Sequence, residues 1–368
     1  MFDNIEKTNL NEMGEFGLID HLTKNIQLTQ KSTIKGVGDD AAVLDFSNQK
    51  VLVSTDLLLE NVHFDLRYVP LKHLGYKAIQ VNLSDIYAMN GMASQVTFSI
   101  GLSSKFPLEA VEEIYEGALI ACQNYNVDLI GGDTSTSAQG LVISVTSIGY
   151  AEEAKIAYRS GAKEGDLVCV SGDLGGAYVG LQLLEREKQI FLENPGIQPD
   201  LEGKDYIIER QLKPDARKDI VQLLADLEIQ PHAMIDVSDG LASEILHICK
   251  ASNVGCKLYE EKIPIDPMTY ETAREFGLDP TVCALSGGED YELLFTIAQS
   301  DYEKVKGQLD ISVIGHITEA SAGCQMISKS GNVHDITAQG WNACFQGVGI
   351  ESLQARVIAR NEAIFLLV

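Results

Sequence analysis

The chain has 368 residues, 45% of them hydrophobic, and sets 28 Lys and Arg against 53 Asp and Glu for a net charge of −25. That length favours two domains over one, with enough apolar residues for sizeable cores. So acidic a chain repels nucleic-acid phosphates, which excludes a charge-driven nucleic-acid binder, and a phosphorylated small ligand would need a cation to screen it; acidity that only aids solubility is the competing explanation.

The opening Met1-Phe2-Asp3-Asn4-Ile5-Glu6 has no basic region followed by an apolar run, so no signal peptide is expected. No apolar stretch reaches transmembrane length, so no membrane partner is expected. Val51–Ser54 reads as a buried strand and Asp56 as its end. Leu71–Met89 reads as a helix stopped at Gly91. Val96–Gly101 is an expected strand and Leu108–Tyr125 a helix. Leu129–Ile130 leads into a Gly131-Gly132-Asp133-Thr134 loop, and Leu141–Tyr150 is a strand. A polar, Gly-containing stretch at Arg159–Gly165 marks a domain boundary. Strand Leu167–Ser171 and helix Ala177–Arg186 follow. Residues 187–214 hold Pro195, Pro199 and Pro214 and read as an irregular excursion. Strand Met234–Val237, an amphipathic helix to Lys250 and strand Leu293–Ile297 complete the second half. The tail from Ile350 to Val368 has helical periodicity and no motif. The fold class is an α/β N-terminal domain plus an α+β C-terminal domain. Domain bounds are set at 1–153 and 154–349, with a 350–368 tail. Cys122, Cys169, Cys249, Cys256, Cys283, Cys324 and Cys344 form no C-x-x-C pair, so neither a zinc site nor a disulfide framework is expected. They fit buried thiols in a reducing, cytoplasmic setting.

Carboxylates cluster beside Gly, Ser or Thr in six places. These are Gly38-Asp39-Asp40, Ser54-Thr55-Asp56, Asn82-Leu83-Ser84-Asp85, Gly131-Gly132-Asp133-Thr134, Asp236-Val237-Ser238-Asp239-Gly240 and Ser286-Gly287-Gly288-Glu289-Asp290-Tyr291-Glu292. Carboxylates and hydroxyls are the oxygen ligands that magnesium takes, and glycine lets backbone approach a ligand. Asp85 is the most telling. It falls on the face of helix 71–89 that carries Leu74, Ala78, Val81 and Ala88, where a carboxylate is costly unless paired or metal-bound. A salt bridge to a buried Arg, or the capping of a neighbouring turn, is the alternative. The Gly38, Gly131 and Asp236 clusters each have an ordinary explanation alone: Gly-Asp turns, or Ser238 or Asp239 capping a helix whose N-terminus would also welcome phosphate. Their joint recurrence does not. His63 is a ligand contact or a structural His with equal standing. Arg159 would clamp phosphate or sit in a surface ion pair, and Trp341 would stack on an aromatic ligand or fill a core. No Walker A loop, kinase signature set or G-x-S-x-G elbow is present.

In this order these motifs resemble those of the thiamine-monophosphate kinase family, within the aminoimidazole ribonucleotide synthetase-like superfamily. The match begins at Gly14-Glu15-Phe16-Gly17 and continues through Gly36-Val37-Gly38-Asp39-Asp40, Asn61-Val62-His63-Phe64 and Arg159-Ser160-Gly161-Ala162 to Gly340-Trp341. The resemblance implies the superfamily's two-domain architecture and a homodimer formed through the N-terminal domain. It implies a magnesium-dependent transferase that phosphorylates thiamine monophosphate to thiamine diphosphate at the expense of ATP. Several Mg2+ ions would be held by Asp40, Ser54, Thr55, Asp56, Asp85, Asp133, Asp236 and Asp239. Tyr115, Gly132, Asp133, Arg159 and Ser238 would contact ATP. His63, Glu289 and Trp341 would contact thiamine monophosphate, with Glu289 facing its cationic part. No side chain is expected to act as a covalent or general-base catalyst, because the attacking phosphate is already ionised. A superfamily ligase or cyclase, and a non-enzymatic cation binder, are the rival readings.

Overall fold

The computed structural model describes residues 21–35, 43–47, 49–103 and 105–338. Asp40, Trp341, Cys344, the Gly14 and Gly36 motifs and the 350–368 tail lie outside the described residues.

Strands β1 (Thr33–Lys35) and β2 (Val43–Leu44) pair antiparallel at the start. The first main sheet is built from β3 (Lys50–Leu59), β4 (Met92–Leu102), β5 (Asp128–Thr136) and β6 (Val142–Ala151), in the order β3-β6-β4-β5. Only the β4/β5 pair is parallel, as expected of strands joined by a helical crossover. Helices α1 (Leu71–Ala88) and α2 (Leu108–Tyr125) pack together and cover one face of the sheet.

β3 corrects two expectations. It is ten residues long, so Asp56 lies inside it rather than at its end. Nor is it buried on both faces: Val51, Val53 and Leu57 are 48%, 64% and 51% exposed, while Ser54, Asp56 and Leu58 alternate onto the helix-covered side. The Gly-Gly-Asp-Thr segment is likewise strand, not loop. It lies in β5, with Gly132 opposite Phe98. A Cβ at Gly132 would stand 1.9 Å from the Phe98 carbonyl oxygen, so this close approach requires glycine.

The second sheet has seven strands: β7 (Leu167–Ser171), β8 (Ala233–Asp236), β9 (Gly255–Tyr259), β10 (Leu293–Ile297), β11 (Ile311–Thr318), β12 (Cys324–Ile327) and β13 (Val333–Asp335). Their order is β13-β12-β9-β11-β7-β10-β8, antiparallel except for β12/β9. The excursion expected at 187–214 is largely helical: α3 (Gly176–Glu193) runs past the expected end at Arg186, and α4 (Asp205–Leu212) packs on it. Pro195 and Pro199 fall between the two helices, where no amide donor is missed. Then come α5 (Lys218–Asp226), α6 (Leu241–Ser252), α7 (Pro267–Glu275), α8 (Pro280–Ser286) and the short α9 (Tyr302–Val305). Among the described residues no helix is long and apolar enough to cross a membrane.

α1 positions the site. It packs on its own sheet and, on the other side, against α4, α5 and β8 of the second half. It is therefore buried nearly all round, polar residues included: Lys77, Gln80, Asn82 and Ser84 are each at most 4% exposed. Its contact with α2 is glycine-mediated on both sides. A Cβ on Gly75 would lie 1.8 Å from the Ile114 carbonyl oxygen, and one on Gly117 would lie 1.8 Å from that of Lys72. Gly75→Ala is expected to force the helices apart at a cost of about 3 kcal/mol, read as a lower denaturant midpoint at unchanged m-value.

Candidate active site

α1 carries the organising groups in adjacent turns. The Asn82 side-chain oxygen accepts the Asp56 amide at 2.9 Å, and its NH2 donates to the Ala78 carbonyl at 2.9 Å. Ser147 Oγ donates to the Asn82 carbonyl at 2.8 Å. Asn82 thus ties α1 to β3 and β6 and fixes Asp56. Ser54 Oγ donates to Asp85 Oδ2. Ser84 Oγ reaches across to the second half of the chain and donates to Asp236 Oδ2 at 2.6 Å, at the end of β8. Asp56 on β3, Asp236 on β8 and Asp85 on α1, the helix packed against both strands, face one acidic region.

Burial first, and neighbouring carboxylates second, set the protonation of this region. Burial, then the Asp85 charge, pushes Asp56 up to about 6. Burial, then Asp85, with Asp56 adding, pushes Asp236 up to about 7, against the Ser84 hydrogen bond. Asp85 is raised by burial, opposed by Ser54 and by the positive charge of Arg159. Glu244 on α6 is pushed up to about 8 by burial, with Asp236 and Asp239 contributing and Arg159 opposing. Glu244 also corrects the capping expectation. Neither Ser238 nor Asp239 caps α6: the N-cap is Gly240 and has no side-chain cap, while Glu244 accepts the Asp239 amide at 3.0 Å.

Beside this region lies a second, partly apolar one. Glu289 is held in the left-handed region at φ 60, its amide donating to the Ser238 carbonyl at 2.7 Å. Lys77, 5% exposed at its side chain, pairs with Glu289 Oε1 at 3.0 Å, and Gln211 Nε2 donates to Oε2 at 2.9 Å. Burial raises the Glu289 carboxyl, but Lys77 and Gln211 outweigh it and hold it below the ordinary carboxylate range. His63 Nδ1 accepts the Leu59 amide at 3.0 Å, so the neutral ring carries its proton on Nε2. Burial lowers His63; the nearby Glu289 charge opposes this and Lys77 reinforces it. Tyr291 lies between the two regions. Burial, with the charges of Glu289, Asp56, Asp236 and Asp85, drives its phenol far up and keeps it a neutral O–H donor.

The Glu289-Asp290-Tyr291-Glu292 run divides its work. Asp290 is fully buried and accepts the Gly175 amide at 2.7 Å and the Ala177 amide at 3.3 Å, closing the start of α3. Glu292 receives Arg210 at 2.8 Å, Ser171 Oγ at 2.5 Å and also Arg217. These two carboxylates hold the loop; Glu289 and Tyr291 face the site.

The remaining expected residues fall in two places. Ser238 precedes α6 beside Asp236, and Arg159 is exposed with its charge acting on Asp85 and Glu244. Thr55 lies on the other face of the first sheet, where its hydroxyl donates to the Val145 carbonyl at 2.9 Å. Exposed Asp133, opposite Ser99 in the ladder, lies on that same face. Strand alternation thus separates Thr55 and Asp133 from Ser54 and Asp56. Tyr115 is 8% exposed, its ring edge-on to Phe98 at 5.2 Å and its hydroxyl bonded to Thr134, so it backs the Gly132-Asp133 segment from behind; burial pushes it up to about 12. Lys77, Gln211, Glu244 and Tyr291 were missed from sequence. Tyr291 left a trace as a member of the Ser286–Glu292 motif, and Lys77 as a lysine inside an apolar helical pattern.

The donor set suits a hard divalent cation: hydroxyls beside carboxyls that burial first, and neighbouring carboxylates second, push toward protonation. Among the described residues, however, the carboxylates do not converge on one ion position. Among those described residues the one group of three or more His, Cys, Asp or Glu with ligand atoms within 4.8 Å of one another is Cys249, Cys256 and Cys324.

Two family models match the chain: AIR synthase related protein, N-terminal domain, over residues 38–151, and its C-terminal domain over residues 163–324. The thiamine-monophosphate kinase of Aquifex aeolicus (strain VF5) is 36% identical over 310 residues, 84% of this chain and 93% of its own. That of Bacillus subtilis (strain 168) is 34% identical over 339 residues, 90% of this chain and 99% of its own. Among solved structures, AaThiL complexed with AMPPCP and TMP superposes with a TM-score of 0.70 at 34% identity, covering 91% of this chain and 98% of the other. The thiamine-monophosphate kinase of Stenotrophomonas maltophilia K279a gives 0.72 at 30% identity, with 88% and 98% covered. The hydrogenase maturation protein HypE in complex with ATP shares the fold at 17% identity, with a TM-score of 0.69 and 87% and 94% covered. With both halves matched in order and full-length relatives this similar, the chain belongs to the thiamine-monophosphate kinase family of AIR synthase-related enzymes.

Proposed function

We propose that the chain transfers the γ-phosphoryl group of ATP directly to thiamine monophosphate, giving thiamine diphosphate and ADP. The observation that carries this reading is the pairing of an acidic region, Asp56–Asp85–Asp236, with the Glu289–Lys77–His63 region beside it. The first suits metal-bound polyphosphate and the second a cationic heterocycle. Both reactants are anionic at the reacting ends, so bringing them together needs positioning and charge neutralisation rather than a covalent catalyst.

Asp56, Asp85, Asp236, Asp239 and Ser54 would hold magnesium ions, with Asp40 completing the set. Bound magnesium would supply charge neutralisation at the transferring phosphates. Arg159 and Ser238 would meet the nucleotide. Glu289, kept ionised by Lys77 and Gln211, would face the thiazolium charge, with the His63 Nε2–H beside it and Trp341 covering a ring. Thr55 and Asp133 share a face of the first sheet with the exposed apolar strip of Val51, Val53 and Leu57, which is the surface a homodimer would cover, and Gly132 would meet the nucleotide beside them. With the partner seated there, Thr55 and Asp133 would serve a site completed between subunits. The division at residue 153/154 is part of this proposal.

The raised carboxylates give a pH signature with a definite sign. Asp56 at about 6 and Asp236 at about 7 lie above their ordinary value near 3.8. Between those limits the folded chain therefore binds more protons than the unfolded one. Their contribution to stability is fully present below about pH 4 and is lost as pH rises through 6 to 7. Magnesium replaces those protons, so it is expected to raise Tm by several degrees at pH 7.5 and by little at pH 5.5. An equal magnesium shift at both pH values in thermal melts would contradict the cation assignment.

Direct transfer has its own test. After reaction with γ-labelled ATP and an acid quench, the label is expected on the thiamine product and none on the protein. Label retained on the chain would replace direct transfer with a phosphoenzyme.

A further inference from the structure

Cys256 and Cys324 lie in the second sheet on the side away from the site, and Cys249, near the end of α6, meets them there. Asp236 ends β8, the outermost strand on one side, whereas β9 and β12 lie at the other end of the order. Cys249 is in the last turns of α6, Cys256 is the second residue of β9, and Cys324 opens β12. Cys256 and Cys324 are direct partners in the parallel β9/β12 ladder. All three are free thiols, and their sulfurs lie within 4.8 Å of one another. Ligands of a cation with metal–sulfur bonds of about 2.3 Å stand about 4 Å apart, so this spacing is that of a ligand set. Core burial is common to these thiols: Cys122, Cys169 and Cys283 sit singly in apolar cores, and Cys249 and Cys256 lie in another, with Cys324 packed against it. What sets the trio apart is that, among the described residues, Cys249, Cys256 and Cys324 alone bring three sulfurs together. The C-x6-C spacing and the distant third cysteine match no zinc pattern, so the sequence conceals the group.

We infer that Cys249, Cys256 and Cys324 form a three-thiolate site for a thiophilic d10 cation, of which Zn2+ is the probe. Soft thiolates select such ions over the magnesium expected at the acidic site. Cys249 and Cys256 are 3% and 0% exposed, whereas Cys324 is half-buried and gives the ion its way in. Among the described residues no further His, Cys, Asp or Glu joins the group, so solvent at the Cys324 side closes the coordination. Binding displaces the thiol protons. It would fasten α6 to the sheet and anchor β12, whose outer partner β13 is an exposed three-residue strand.

The test uses the full chain, reduced and stripped with chelator. Zn2+ titrated against a chromophoric chelator is expected to bind at one equivalent beyond whatever the Cys324→Ser variant binds, and to raise Tm by several degrees. Cd2+ is expected to give an ultraviolet thiolate-to-metal charge-transfer band, which carboxylate ligation does not produce. Cys324→Ser should lose the band and bind Zn2+ about 100-fold more weakly, while keeping wild-type circular dichroism and ATP turnover. Cys169→Ser should keep both metal readouts. Equal Zn2+ binding by wild type and Cys324→Ser, or no Cd2+ band in the reduced wild type, would overturn the inference.

Discussion

Asp85→Asn is expected to lower kcat/KM by about 1000-fold while leaving the metal-free protein as stable as the wild type or more so. Asparagine has the same shape and can still accept the Ser54 hydroxyl, so packing and the local hydrogen bond survive. What is lost is one negative charge from a set in which Asp85 raises both Asp56 and Asp236. Removing it relieves that repulsion, and gains of about 1 kcal/mol are common where a functional site is relaxed. The same charge is what a cation would be drawn to, so activity and stability move in opposite directions. Steady-state kinetics at several magnesium concentrations, beside denaturant unfolding without metal, read both. A variant fully active at ordinary magnesium would remove Asp85 from the cation site.

Lys77→Met is expected to cost about 3 kcal/mol of stability, and Glu289→Gln a similar amount, yet the double variant should cost clearly less than their sum. Lys77 is 5% exposed and Glu289 29% exposed at their side chains, joined at 3.0 Å. Breaking a pair this buried leaves a charge that water reaches poorly, whereas removing both partners leaves none; the partial exposure of Glu289 limits the cost. Lys77 also donates to the Gln211 carbonyl at 3.0 Å, so its loss loosens α4 as well. Function separates from stability here. The double variant should recover much of the folding energy yet keep a raised KM for thiamine monophosphate, because the carboxylate facing the substrate cation is gone. A double-mutant cycle with no coupling, or a double variant with wild-type KM, would contradict this arrangement.

How far the sequence reached follows from the range of the forces involved. α2, β7 and β10 have the bounds their periodicity predicts, because each pattern is continuous and local. Asp85 stood out because an ionisable group among apolar helical positions is anomalous on its own. The Gly131–Thr134 part of β5 reads as a loop because glycine is a poor strand former, yet at Gly132 the β4 backbone comes too close for any side chain. The exposed face of β3 was read as buried because an apolar run says nothing about which side is covered. The helix at Asp205–Leu212 was obscured by flanking prolines and charge, and packing on α3 secures it. Lys77 with Glu289, and the three cysteines, are contacts between distant parts of the chain that no local pattern encodes. Thr55 was grouped with Ser54 and Asp56 by adjacency, and strand alternation sends it to the opposite face.

The central claim is tested most directly by ADP release from ATP and magnesium, with and without thiamine monophosphate, and the product identified by mass. Release that depends on thiamine monophosphate, with thiamine diphosphate formed in equal amount, is the predicted result. Nucleotide binding with no stimulation by thiamine monophosphate and no thiamine diphosphate would contradict it.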